Sequence, residues 1–306
     1  MRNRFADVFY ELGKADDRLC IVVADISPAG SIGKFREEFP GRFINTGVSE
    51  QIMIGMVAGM AQRGLRPFAY TIATFTLYRP FEMVRDDLCY QNLPVTIVGI
   101  GGGVTYSTLG ATHHAQEDVA IACAIPNIAV IAPCDPDETA LATRWCAAQQ
   151  RGPVYLRLGK AGEPNMTADA PDAFEFGKVR CIRAGDDVAV ISYGTIMKIA
   201  KGVADRLETA GDSVALYSCH TVKPLDRDGI RHILSRYRKV VIVEECAPNG
   251  SLAMQVQQIA WQDKASCELH AFTLQDKFIH CYGSHEDLLA AHGLSVPKIC
   301  TELGLS

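Results

Sequence analysis

Three groups of residues in this 306-residue chain have types and spacings that could do chemistry. Glu50 stands in NTGVSEQIMIGMVAGMAQRG, an apolar segment in which Gly55 and Gly59, four apart, predict a closely packed, buried helix. A carboxylate at its head either favours the positive end of the helix dipole or serves a reaction, and local spacing does not choose between them. Downstream, Phe75, Tyr78 and Phe81 recur three apart, so their rings fall nearly on one face as a loop enters a helix. That stripe is either core packing or a flat apolar slot for a heteroaromatic ring. His113, His114, Glu117 and Asp118 then crowd within six positions. Adjacent histidines on a helix point about 100° apart, the wrong spacing for a zinc helix motif, and no third ligand is evident, so no metal site is predicted. A loop histidine acting as hydrogen-bond donor or proton carrier is the functional alternative to a structural one.

A glycine-rich stretch, PVTIVGIGGGV, follows a predicted strand but fails the full dinucleotide fingerprint, because Val104 occupies the third glycine position. Gly99 to Gly103 therefore read as a strand-end loop that approaches a ligand or another backbone closely. The elements that must position these groups alternate between short β-branched runs and helix-length segments, the pattern of parallel sheets covered by helices. Strands are expected at 19–24, 42–45, 66–70, 95–100 and 128–132, with helices at 4–14, 49–63, 78–92, 117–124 and 136–150. Beyond Gly159 the stretch KAGEPNMTADAPDAFEFGK has no sustained period and reads as a linker. Periodicity resumes with strands at 187–192, 213–218 and 239–244 and helices at 196–210, 227–237 and 251–261. The expected organisation is a two-domain α/β protein with mostly parallel sheets: one domain over 1–160, a linker over 161–178 and a smaller domain over 179–306.

Composition bounds the rest. Hydrophobic residues make up 48% and charged residues 21%, the balance of a folded globular protein rather than a disordered one. A net charge of -5 without any long run of Lys or Arg gives no footprint for nucleic acid. Eleven cysteines without a Cys-x-x-Cys pair cannot all close into intramolecular disulfides, which points to a reducing cytoplasm. No apolar stretch approaches the ~20 residues of a membrane span, and the N-terminal segment lacks the apolar core of a signal peptide.

Taken in order, GVSEQ with Glu50, ATF with Phe75, Tyr78 and Phe81, GATHH with His113, the IPN segment, CDPDE, HTVKPLD (220–226) and VVIVEE (240–245) resemble the pyrimidine-binding and C-terminal domains of transketolase. The resemblance runs from Arg2 to nearly the end of the chain. It implies that Glu50 hydrogen-bonds a pyrimidine ring nitrogen of thiamine diphosphate, favouring the imino form that activates the cofactor. It also implies that Phe75, Tyr78 and Phe81 form the pyrimidine slot, that Asp25 in the ADISP turn lies near the cofactor and that His113 faces the substrate.

One component of that family is missing. The Gly-Asp-Gly segment and following Asn that hold the diphosphate and its divalent metal are absent, and the nearest strings, AGDDV at Ala184 and AGDSV at Ala210, lack the second glycine. With Met1 opening directly into the pyrimidine domain, the resemblance implies the second gene product of a split transketolase. Such a chain is inactive alone and completes its sites with an N-terminal, diphosphate-binding subunit that holds Mg2+, in an α2β2 assembly. Sugar-phosphate transketolases carry an Asp where this chain has Leu109, and a His, a Ser and an Arg around the acceptor phosphate where it has Gly101, Ala29 and Lys160; Arg2 alone is kept. That departure predicts a specialised transfer of a two-carbon ketol or related acyl unit to or from a sugar or aldehyde lacking the usual hydroxyl or phosphate. Three alternatives share the plan: the beta subunit of a 2-oxo-acid dehydrogenase decarboxylase component, a deoxyxylulose-phosphate-synthase-like enzyme and a catalytically silent scaffold.

Overall fold

The computed structural model describes residues 1–27 and 30–305, so Ala29 lies outside the described residues. In chain order the elements are α1 (Arg2–Ala15), β1 (Leu19–Val23), α2 (Ser31–Glu38), β2 (Phe43–Asn45), α3 (Glu50–Gln62), β3 (Arg66–Ile72), α4 (Ala73–Leu77), α5 (Phe81–Met83), β4 (Thr96–Ile100), α6 (Asp118–Ala124), β5 (Ala129–Ile131), α7 (Pro136–Ala148) and β6 (Val154–Leu158). There follow β7 (Arg180–Arg183), β8 (Val188–Ser192), α8 (Met197–Thr209), β9 (Val214–Ser218), β10 (Thr221–Lys223), α9 (Arg227–Arg236), β11 (Lys239–Val243), α10 (Leu252–Asp263), β12 (Glu268–Phe272), α11 (His285–Ala291) and α12 (Val296–Glu302).

Strand alternation places successive side chains on opposite faces, and both faces of the first sheet are covered. Leu19, Ile21 and Val23 of β1, with Phe68 and Tyr70 of β3, pack against Phe5, Phe9 and Phe35 from α1 and α2. Val22 and Ala69 point the other way, into a cluster with Met53, Ile54 and Val57 of α3. That second cluster continues into Ala189, Tyr193, Val240 and Ile242, so the two sheets share one apolar core. The first sheet runs β10-β5-β6-β4-β3-β1-β2, parallel except for β10, and the second runs β12-β11-β8-β9-β7, parallel except for β7. This is the α/β class with mostly parallel sheets that the sequence pattern predicts.

The structure adds to and alters that reading in particular places. β10, in the HTVKPLD stretch, crosses over to pair with β5 of the first sheet, and Lys223 Nζ donates to the carbonyls of Cys123 and Ile125. The elements β6, β7, β10, β12, α2, α4, α11 and α12 come in addition to those the sequence pattern predicts. The single helix expected over 78–92 is a short α5 followed by a π-helical segment, Val84–Tyr90. Gly55 and Gly59 do not face the core as expected: they are exposed, and a Cβ at either would meet nothing within 4 Å. Between β6 and β7 no helix or strand forms, yet the segment is pinned. The backbone amides of Met166 and Thr167 donate to Asp135 Oδ2 at 2.9 and 2.8 Å, and Phe176 stacks on Trp145 with centroids 3.8 Å apart.

Candidate active site at the strand ends of the first sheet

In a parallel sheet the loops that follow the strands gather at one edge, and ligands of open α/β folds bind there. Asp25 follows β1, Glu50 follows β2, Phe75 follows β3, Leu109 and His113 follow β4, and Lys160 follows β6. Residues far apart in sequence are thereby brought to a common rim.

Glu50 opens α3 and is only 2% exposed. Both of its carboxylate oxygens accept from Arg79 Nη1, at 2.9 and 2.7 Å. The guanidinium of Arg79 also lies over the Phe75 ring, 4.6 Å from its centroid, a cation–π geometry. Phe75 in turn meets His113 edge-on with centroids 5.1 Å apart, and His113 lies 6.3 Å from Tyr106. Lys160 Nζ sits 5.1 Å over the Tyr106 ring. A continuous line of side chains therefore runs Glu50, Arg79, Phe75, His113, Tyr106, Lys160.

Arg2 joins the far end of this line. Its Nε is buried without a hydrogen-bond partner, as is the hydroxyl of Tyr70. Burial raises the pKa of both the Tyr70 and Tyr106 phenols, and the positive charge of Arg2 opposes that rise. Lys160 thus lies over the Tyr106 ring, and the charge of Arg2 is felt at the same phenol. Burial lowers the pKa of His113, which favours the neutral ring at neutral pH, and its Nδ1 lies 3.0 Å from Thr112 Oγ1.

The remaining expected site residues are placed differently. Tyr78 does not turn toward Glu50: its hydroxyl donates to Glu117 Oε2 at 2.9 Å and accepts from the Glu117 amide at 3.1 Å, bracing the start of α6. Phe81 opens α5 at 39% exposure, Leu109 is 49% exposed, and Asp25 is exposed in a left-handed backbone conformation at φ 44°, its amide donating to Asn45 Oδ1. Tyr78 and Phe81 therefore lie outside the Glu50–Phe75–His113 line, despite their regular spacing. Arg79 and Tyr106 lie within it, although sequence reasoning missed both. The signal for Arg79 was the carboxylate itself, since a dry carboxylate calls for a cation.

A second polar cluster fixes the floor of the site. Arg157 of β6 donates from Nε to Asp118 Oδ2 at 2.8 Å and from Nη2 to the Glu245 carbonyl at 2.9 Å, and Tyr155 donates to the same Asp118 oxygen at 2.7 Å. The Glu245 carboxylate accepts from the Val104 amide, Thr195 Oγ1 and His285 Nε2. This explains the glycines after β4. A Cβ on Gly101 would overlap the Tyr106 ring, one on Gly102 the Arg157 guanidinium and one on Gly103 the Glu245 carboxylate. The close protein neighbours of that loop are side chains.

The pyrimidine-binding domain of transketolase matches residues 1–163, and the transketolase C-terminal domain matches residues 177–299. The chain belongs to the transketolase family. It is 28% identical over 299 residues to an apulose-4-phosphate transketolase subunit of Phocaeicola vulgatus, covering 98% of this chain and 95% of that one. A putative transketolase C-terminal section from Methanocaldococcus jannaschii is 33% identical over 304 residues, covering 99% and 95%. The 1-deoxy-D-xylulose-5-phosphate synthase of Clostridium perfringens is 27% identical, but the match spans only 48% of its length. Among solved structures, a split-gene transketolase described as an inactive beta4 tetramer superposes with a TM-score of 0.87 at 28% identity, covering 99% of this chain and 96% of that one.

Proposed function

We propose that this chain is the pyrimidine-binding subunit of a split, thiamine-diphosphate-dependent transketolase, in which Glu50 holds the activating proton at a pyrimidine ring nitrogen. The observation carrying this reading is the Glu50 carboxylate, 2% exposed at the head of α3, on the strand-end rim beside Arg79 and Phe75. Its dry setting and fixed position at a helix start suit a group that must share a proton with a ring nitrogen. The residues fit that end of the cofactor. They do not include the Gly-Asp-Gly segment and following Asn by which the family holds the diphosphate and its metal. Mg2+ and the diphosphate are therefore assigned to a partner chain, in an α2β2 assembly. The relative described as an inactive beta4 tetramer supports the view that chains of this kind need another subunit.

When bound, thiamine diphosphate supplies the nucleophilic ring carbon that carries the two-carbon unit. Phe75 offers a flat apolar face to its ring, and Asp25 stands at the lip of the same edge. His113, neutral and beside Phe75, is placed to hydrogen-bond the substrate's oxygens. Arg2 and Lys160 favour an anionic or strongly polar far end. Leu109 puts an apolar side chain on the rim, and the Tyr106 ring fills the space over Gly101, which supports a donor or acceptor lacking one of the usual hydroxyl or phosphate contacts. Tyr78 serves this site through Glu117, and Phe81 is the outermost of the three rings. We assign the domains to 1–160 and 179–306 with the pinned linker 161–178 between them, and the compartment to the cytoplasm, where eleven free cysteines are stable. Among the described residues no helix is long and apolar enough to cross a membrane.

Calorimetry on the chain alone and on the chain co-purified with its partner tests the reading. The expected result is weak thiamine diphosphate binding and no turnover alone, with magnesium-dependent binding and ketol transfer in the complex. Tight, magnesium-dependent binding by this chain alone would overturn the division of labour.

A further inference from the structure

Arg79 is the side chain that the proposed function does not use, and it occupies the place where that function needs the cofactor. A buried carboxylate in the cofactor-free chain requires compensation, and Arg79 Nη1 supplies it to both Glu50 oxygens at 2.9 and 2.7 Å. The same guanidinium covers the face of Phe75 at 4.6 Å. One cation thus fills both surfaces that a pyrimidine would need: the carboxylate that holds its nitrogen and the ring that lies against it. The pair is unequal, however. Glu50 is enclosed, whereas the Arg79 side chain is 40% exposed and stands at the end of a long flexible stem, next to Pro80 where α4 has already ended. Swinging outward keeps the charge of Arg79 itself in water.

We propose that Arg79 is a displaceable placeholder: it keeps both Glu50 oxygens paired until the cofactor's pyrimidine replaces the guanidinium, so that cofactor entry exchanges an ion pair for a hydrogen bond to a ring nitrogen. This rests on the reading of Glu50 given above. One consequence sets it apart from a merely structural ion pair. Binding must overcome the Glu50–Arg79 contact, so removing Arg79 should strengthen binding.

The test uses the chain co-purified with its partner and titrated with thiamine diphosphate in the presence of magnesium. Arg79→Met should bind about tenfold more tightly than the native complex, the scale of one partly exposed charge-assisted contact. Arg79→Lys should fall between. In a Glu50→Gln background, where no charge remains to be held, Arg79→Met should change affinity less than about twofold. Affinity that is unchanged or weakened in Arg79→Met, or a full effect in the Glu50→Gln background, would each overturn the proposal. Glu50 itself is judged separately, by whether Glu50→Gln slows thiazolium proton exchange, so the two readings can fail independently.

Discussion

Two arginine–carboxylate pairs in this molecule use the same functional groups to opposite ends. Asp118 and Arg157 are both enclosed, at 0% and 4% exposure, and their pairing is shared with Tyr155 and the Glu245 carbonyl. Glu50 is equally enclosed, but its arginine is not, and the carboxylate has no other side-chain partner among the described residues. A cation held on several sides fixes a loop and joins two sheets. A cation held by one carboxylate and one ring face can leave. What distinguishes a scaffold pair from a reactive one is the number of commitments of the partner, with the burial of the carboxylate alike in both.

The sharpest break of that comparison is Arg157→Met, which strands Asp118 in the interior and removes the link to Glu245. A loss of about 3 to 5 kcal/mol of stability is expected, read by denaturant unfolding. Arg79→Met should cost less in the same assay, because the Arg79 side chain is 40% exposed and its removal opens the Glu50 carboxylate to water. Equal losses would dissolve the distinction.

A subtler sharpening comes from pH. Burial alone would lower the pKa of His285, but the Glu245 carboxylate outweighs it, and the folded pKa lies above the ordinary 6.5. A raised histidine pKa contributes stability that is complete below 6.5 and disappears as pH rises through the folded value. Melting temperature measured from about pH 6 to 9 should therefore decline on that limb, and His285→Gln should flatten the decline, by on the order of 1 kcal/mol. A decline that persists in full without His285 would place its origin elsewhere.

Smallest in effect is Leu109→Asp, which adds a polar group at a rim position 49% exposed. It should raise kcat/KM for hydroxylated sugar phosphates several-fold in the complex, about the worth of one hydrogen bond. If the native complex already turns over xylulose 5-phosphate with ribose 5-phosphate efficiently, the apolar reading of that position is wrong.

Parallel α/β layering was legible in the sequence because β-branched runs and helical periods recur locally, and GVSEQ located Glu50 at a helix start. Pairings between distant residues were not legible. Nothing local in TFTLYRPF says that Arg79 folds back 29 positions onto Glu50. Arg157 hid β6, since a charged residue in VYLRL weakens the reading of a fully buried strand. Thr221–Lys223 gave no sign that it joins the first sheet, because partner choice is a property of the assembled edge. The regular spacing of Phe75, Tyr78 and Phe81 does not run along one helix: α4 ends at Leu77, and the short α5 and a π-helical segment follow.

The central claim is that the Glu50 carboxylate, not merely its shape, activates the cofactor. Exchange of the thiazolium proton, followed by NMR in the reconstituted complex, tests it most directly in Glu50→Gln, which keeps the volume and removes the proton-sharing acid. The account predicts exchange slowed by roughly 10² to 10⁴-fold with unfolding midpoint nearly unchanged, and an exchange rate equal to that of the native complex would contradict it.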